Sequence, residues 1–254
     1  MQRKKIAFLA SDCESSRWVY HALSQDFEFA ALIIEEPVSR KALFSARLKK
    51  IGFFKVAGQV LFSVLVVPFL KRSSRNRKAE IMAAYGLQAA AFDTGSIHRV
   101  PSVNDDSVKV ILAEIQPDIV VVNGTRIISR KILGSTNALF VNMHAGITPW
   151  YRGSHGGYWA LYNQDAANFG TTIHLIDAGI DTGAVLKQAF IQPGKKDNFA
   201  TFPVLQTAIG IQALKDVLTS MLNDSYEIKK HSEKGKMYHQ PTIWQYFLGG
   251  KKSG

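Results

Sequence analysis

Residues 141–161 read VNMHAGITPWYRGSHGGYWAL. The stretch closes an apolar run, ALFVN (138–142), on two polar side chains, then interrupts regular structure with Pro149, a Tyr-Arg-Gly and a Gly-Gly pair. Side chains two apart in a strand share a face, so Asn142 and His144 lie together with Met143 on the other side. A histidine alone could simply hydrogen-bond its own turn. That reading must also account for the neighbouring Asn142, for the loop around Arg152, and for a second polar turn. This is DAGIDTG (177–183), where Asp177 and Asp181 bracket Gly179 after the apolar run TTIHLI. Two acids beside glycines are common turn builders, so this motif is weak by itself.

Outward from this stretch, strands are predicted at 5–11, 27–36, 118–124, 138–142, 171–176 and 184–191. Helices are predicted from Ser15 or Ser16 to about Ser24, and over 107–115, 129–133, 157–163 and 201–222. Strands alternating with helices imply an α/β fold, a Rossmann-like three-layer sandwich with a mostly parallel sheet. The last two strands flank Gly-rich turns and are free to pair in the other sense. A helical insertion occupies about 41–86, and a C-terminal helix leads into an extended aromatic tail. The expected division is a catalytic domain over 1–195, with 196–254 packed on it. Ligands of such sheets sit outside the carboxyl ends of the strands, where Asn142 and His144 fall.

The chain has 254 residues, 46% of them hydrophobic, which suits one sizeable domain. Its single cysteine, Cys13, excludes an internal disulfide and suggests a reducing, cytoplasmic setting. The opening MQRKKIAFLASDCESS has too short an apolar run for a signal peptide and reads as a first strand. The formal net charge of +11 is concentrated: eleven bases and no acid lie between Glu36 and Glu80, and the rest of the chain balances twenty against twenty. A protein that coats nucleic acid would be basic throughout, so a nucleic-acid partner is not expected. The histidines show no metal-ligand spacing, and no metal is expected.

The combined pattern of Asn142-x-His144, Pro149, Tyr151-Arg152-Gly153 and the loop ending in Asp181 resembles the folate-dependent formyltransferase family. That family includes glycinamide ribonucleotide, methionyl-tRNA and bacterial sugar-nucleotide formyltransferases. The resemblance runs from about Pro117 to Val185, and more loosely through the first two strands. It specifies the family and leaves the acceptor open. It implies a catalytic trio of Asn142, His144 and Asp181. It also implies that NGTRIIS (123–129) cradles the pterin of 10-formyltetrahydrofolate through Gly124, Ile127 and Ile128, with Asp177 and Gly179 on the same side. Arg152 and His174 would flank the site. The implied reaction passes formyl to a small-molecule primary amine. Asn142 would hold the developing oxyanion, and His144 would act either protonated on that oxyanion or neutral as a base. Asp181 is expected to raise the His144 pKa.

Departures from the family narrow the acceptor. ASDCESS (10–16) replaces the Gly-rich phosphate loop of glycinamide ribonucleotide enzymes. Gly146 stands where the family carries Ser after its His. The residues after Lys195 are too few, once the long helix is set aside, for the extra barrel of methionyl-tRNA enzymes. The strand at residue 5 leaves no room for the leading domain of the hydrolases. An amino sugar on a nucleotide or lipid carrier is the expected substrate. A truncated methionyl-tRNA-type enzyme and a formyltetrahydrofolate hydrolase are the alternatives.

GFFKVAGQVLFSVLVVPFL (52–70) is apolar on nearly every helical face, with bases at both ends. Its uncharged run, Val56–Leu70, is shorter than the ~20 residues of a spanning helix. Residues 46–78 therefore suit either an anionic membrane surface, peripherally bound, or a homodimer interface. On the membrane reading, Phe53, Phe54, Leu61 and Leu65 insert, and Lys71, Arg72 and Arg75 meet headgroups. Pro241–Leu248 reads as an aromatic strap and GGKKSG as a frayed end.

Overall fold

The computed structural model describes residues 3–38, 48–49, 51–92, 97–231, 233 and 235–249. The expectations for the start of the insertion at 41–47 and for the chain beyond Gly249 lie outside the described residues. A seven-stranded sheet runs in the order β3-β2-β1-β4-β5-β7-β8. Its strands are β1 (Ile6–Ser11), β2 (Phe29–Glu35), β3 (Ile97–Val100), β4 (Ile119–Asn123), β5 (Leu139–His144), β7 (Gly170–Leu175) and β8 (Val185–Phe190). The first five are parallel; β7 runs antiparallel to β5, and β8 antiparallel to β7. Rossmann-like order is thus joined to an antiparallel edge.

The apolar runs explain the layering. Along β1, Ile6, Phe8 and Ala10 face one core with α1 (Glu14–Leu23) and α7 (Phe202–Leu222), while Ala7 and Leu9 face the other with α4 (Asp106–Ile115). A strand covered on both faces must be apolar at every position, as IAFLA is. Helix α4 is capped by Asp105, whose carboxylate accepts the Ser107 N–H at 3.0 Å, and α5 (Arg130–Leu133) by Ser129. The expected cap of α1 is different. Its N-cap is Cys13, and Ser16 lies inside the helix, buried, accepting a hydrogen bond from the Asn123 amide at 3.0 Å. Strand β3 was not predicted, because IHRV is short, polar and at the sheet edge.

The insertion is a helix of 21 residues, α2 (Phe53–Ser73), followed by α3 (Arg75–Ala84). It is long and apolar enough to cross a membrane, which corrects the shorter estimate from the uncharged run: the helix carries Lys55 and Lys71 within its ends. A π turn at Phe62–Val66 precedes Pro68, which has no N–H to donate to Val64. One face of α2 is buried: Val56, Gln59, Phe62 and Val66. Phe62 stacks edge-on against Phe199 at 4.9 Å between centroids and packs on Tyr246 of α8 (Ile243–Gly249). The tail is therefore a short helix rather than an extended strap. A small parallel pair, β6 (Tyr151–Gly153) with β9 (Lys236–Tyr238), ties it to the loop of α6 (Gly156–Tyr162).

Phe62 is fully buried and holds α2 to the domain. Phe62→Ala is expected to cost about 3–5 kcal/mol of unfolding free energy. Phe53→Ala, at a position 66% exposed, should stay within about 0.5 kcal/mol. Urea denaturation of both variants checks this.

Candidate active site

Strand β5 runs two residues further than predicted, so His144 closes it rather than following it. Antiparallel pairing with β7 places Asn142 opposite His174. The His174 Nδ1–H donates to the Leu175 carbonyl at 2.7 Å. Its Nε2 is then a lone pair, and the Asn142 Nδ2 amide donates to it at 3.1 Å. This fixes the Asn142 amide with its NH2 toward the site. A β-bulge in the β7–β8 pairing falls at Ile173/His174, the position where the ring must be aimed.

His144 is held the same way. Its Nε2–H donates to the Tyr151 carbonyl at 2.8 Å, leaving Nδ1 as the basic nitrogen, 3.4 Å from Asp181 Oδ2. Gly146 makes this bond possible: a Cβ there would sit 2.4 Å from the Tyr151 oxygen and 2.6 Å from His144 Nε2. Asp181 adopts φ 50°, in the left-handed region, at the end of the turn. Its carboxylate accepts the Gly153 N–H at 2.8 Å and lies 3.7 Å from His174 Nε2. Burial pushes the His144 pKa down, and the attraction of Asp181 opposes this without reversing it. Asp181 thus raises the His144 pKa as expected, and burial lowers it by more. Burial by itself would raise the Asp181 carboxyl; the adjacent His174 and His144 rings and the Gly153 N–H outweigh it and hold the group at about 2.

These residues open on a cleft of about 320 Å³. It is walled by Gly124, Ile127, Ile128 and Met143 on one side and Asp177, Gly179 and Asp181 on the other. Gly124 has φ 68°, and a Cβ there would stand 3.2 Å from Ser16 Oγ and 3.3 Å from Cys13 Sγ. Ile127 is 61% exposed at the mouth, whereas Ile128 reaches back into the core. Asp177 accepts the Gly179 N–H at 2.9 Å and the Thr182 hydroxyl at 2.6 Å, so it shapes the turn. Arg152 lies outside this cleft. It donates to the Gly235 carbonyl at 2.6 Å and lines a smaller adjoining cavity that also reaches Asp181. Among the described residues, no cluster of His, Cys, Asp or Glu is arranged to hold a metal ion.

Glu35 is the site residue that sequence reasoning missed. It is 2% exposed at the end of β2. Its carboxylate accepts from Ser11 Oγ at 2.9 Å, Val103 N at 3.1 Å and Arg126 N at 2.9 Å, and Arg126 Nε lies 3.2 Å away. It thereby pins the loop after β4 that forms one wall of the cleft. The signal was an acid ending an otherwise buried parallel strand.

The chain belongs to the formyl transferase family, whose sequence model matches residues 59–201. Among curated proteins it is similar to the methionyl-tRNA formyltransferase of Chlorobium chlorochromatii, 28% identical over 155 residues, or 61% of this chain and 49% of that protein. The chain spans about half the length of the curated relatives it matches. Its fold is like that of a sugar N-formyltransferase from a Shewanella species, with TM-score 0.57 at 17% identity over 92% of this chain and 76% of that one. It is also like that of an N-formyltransferase from Helicobacter canadensis, solved with folinic acid and dTDP-3-aminofucose. There the TM-score is 0.58 at 14% identity, over 92% and 70% of the two chains.

The buried His144 should titrate below its ordinary 6.5 in an NMR titration, and Asp181→Asn should depress it further by removing the opposing charge. The neutral form is favoured by folding. Its stability contribution is therefore complete above about 6.5 and is lost as pH falls from there toward the folded pKa. A Tm that fell less between pH 7 and pH 5 for His144→Gln than for the wild type would bear this out.

Proposed function

We propose that the chain transfers a formyl group from 10-formyltetrahydrofolate to a primary amine, borne by an amino sugar on a phosphate-linked carrier. The observation that carries the reading is the pair of tautomer-fixed histidines: one leaves a basic nitrogen facing Asp181, the other turns the Asn142 amide into a donor. The cleft fits the folate. Its walls of Gly124, Ile127, Ile128 and Met143 suit a flat bicyclic ring, with the polar turn at Asp177–Asp181 along the edge. The folinic acid in the Helicobacter canadensis structure supports folate as the class of donor.

When bound, the folate supplies an activated formyl carbon, which exchanges N10 for the acceptor nitrogen. His144 Nδ1 takes the proton released by the attacking amine, and the imidazolium so formed gains Asp181 as its counter-ion. A neutral His144 is what burial provides, so the base reading replaces the protonated one. The second N–H of Asn142 meets the developing oxyanion, a contact typically worth ~2.7–4 kcal/mol of barrier. Asp181 takes this proton from the imidazolium and passes it through water to the departing N10, which leaves His144 neutral and the carboxylate ionised again.

The carrier end of the acceptor is assigned to a second cavity, of about 630 Å³, lined by Cys13, Ser15, Trp18, Lys71, Arg75 and Lys78 among others. It approaches the folate cleft where Cys13 meets Gly124. The acids of the β1–α1 turn are neutralised there, Asp12 by Arg17 and Glu14 by Lys78. Lys71 and Arg75 meet no carboxylate among the described residues, which suits a phosphate. The curated relatives favour a second reading, a methionyl-tRNA acceptor.

Mass spectrometry of amino-sugar nucleotides incubated with 10-formyltetrahydrofolate should reveal a formylated product. His144→Ala should lower turnover ~10²–10⁴-fold, and kcat/KM should fall on the acid side of about pH 6.5 as His144 protonates. Formyl-methionyl-tRNA as the sole product would select the second reading. Formate release without acceptor would make the protein a hydrolase.

A further inference from the structure

We infer that the outer face of α2, continued by α8, is a docking surface for an anionic phospholipid membrane. Seven large apolar side chains on α2 are exposed: Phe53, Phe54, Val60, Leu61, Val64, Leu65 and Phe69. Phe54 is 81% exposed and Phe69 69%. Their spacing of three and four residues makes one stripe, opposite the buried stripe of Val56, Gln59, Phe62 and Val66. Trp244 of α8 seats on Gly58, where a Cβ would come within 2.4 Å of its ring, yet stays 42% exposed. Phe247 and Leu248, one turn on and also exposed, extend the patch.

Charge identifies the occupant. Lys55, Lys71, Arg72 and Arg75 stand at the two ends of the stripe, all exposed, and none meets a carboxylate among the described residues. No acid occurs between Glu36 and Glu80. A second copy seated on this face through a two-fold axis would bring these cations toward their own equivalents with no acid to answer them. An anionic lipid surface answers Lys55 and Arg72, which lie outside the cavity that Lys71 and Arg75 line, while its acyl boundary takes the phenylalanines and leucines. The helix lies flat rather than spanning. Gln59 Nε2 donates to the Gln240 carbonyl at 2.7 Å, and Gln240 donates to Ser63 Oγ at 2.6 Å. Threading α2 through a bilayer would break these bonds and open the aromatic core around Phe62. Ser63, Val67 and Lys71 line the large cavity from the same helix, so docking brings the cavity beside the headgroups.

The test reads binding without turnover, so it stands or falls separately from the proposed chemistry. The full chain is floated with phosphatidylcholine vesicles, with and without phosphatidylglycerol, at low and high salt. Flotation with the anionic vesicles alone, fading as salt screens the ionic part, is the expected result. The exposed-site variant Phe53→Ser/Phe54→Ser/Leu65→Ser should lower the bound-to-free ratio at least about tenfold with an unchanged melting temperature. Lys55→Glu/Arg72→Glu should abolish the preference for anionic vesicles. Three results would overturn the inference: no flotation at low salt, equal flotation with both vesicles, or association that survives carbonate extraction. A stable dimer dispersed by the serine variant, with no lipid binding, would reassign the face to a second copy.

Discussion

The geometry of the site rests on one hydrogen bond, from His144 Nε2–H to the Tyr151 carbonyl. A carbonyl can only accept, so this bond decides which ring nitrogen is basic and which way it faces. It also fixes the start of the loop that carries Gly153, whose N–H holds Asp181. Both ends of the His144–Asp181 pair are thus positioned by the same short segment. The bond needs a residue without a side chain at 146, because the two backbone passes and the ring leave no room for a Cβ. The serine expected of the family at this position would be forced into that gap. Its replacement by glycine is a structural requirement of this loop rather than a neutral change.

A second fixed point is Glu35. Burying a carboxylate is costly unless its lone pairs are satisfied, and here a hydroxyl and two backbone N–H groups satisfy them, with the Arg126 guanidinium as counter-ion. The arrangement joins the ends of β1 and β2 to the loop after β4. The cleft wall is therefore braced from beneath by the sheet, while the opposite wall, the turn at Asp177–Asp181, is braced by its own hydrogen bonds.

Much of this was legible in the sequence. The buried strands declared themselves as unbroken apolar runs, and Asn142, His144 and Asp181 were marked by type and place. What could not be read came from pairing between distant segments. The length of β5 and the partner of Asn142 depend on β7, which the sequence shows only as another apolar run. Ser16 looked like a helix cap because its local pattern fits one, yet tertiary contact with Asn123 claimed it. Strand β3 has no apolar signature, since an edge strand of four residues needs little burial. The burial that outweighs Asp181's upward pull on the His144 pKa is not legible, because a neighbouring acid is visible in sequence and desolvation is not. The two faces of α2 were hidden for the opposite reason: an almost wholly apolar helix gives no pattern from which to tell its inner side from its outer.

The antiparallel turn-back at the sheet edge separates two kinds of freedom. Asn142 and His174 are opposed by strand register, and a slip of one residue would turn His174 to the far face. That pairing cannot drift. The connection from Leu175 to Val185 is under no such constraint. It can lengthen, shorten or change composition while the strands stay in register, altering only how far Asp181 reaches and what shape the cleft presents. An engineer wishing to retarget this scaffold has a natural graft point in the part of that turn before Asp181, with Asn142, His144 and His174 anchored on rigid strands and the shape of the opening written in replaceable residues.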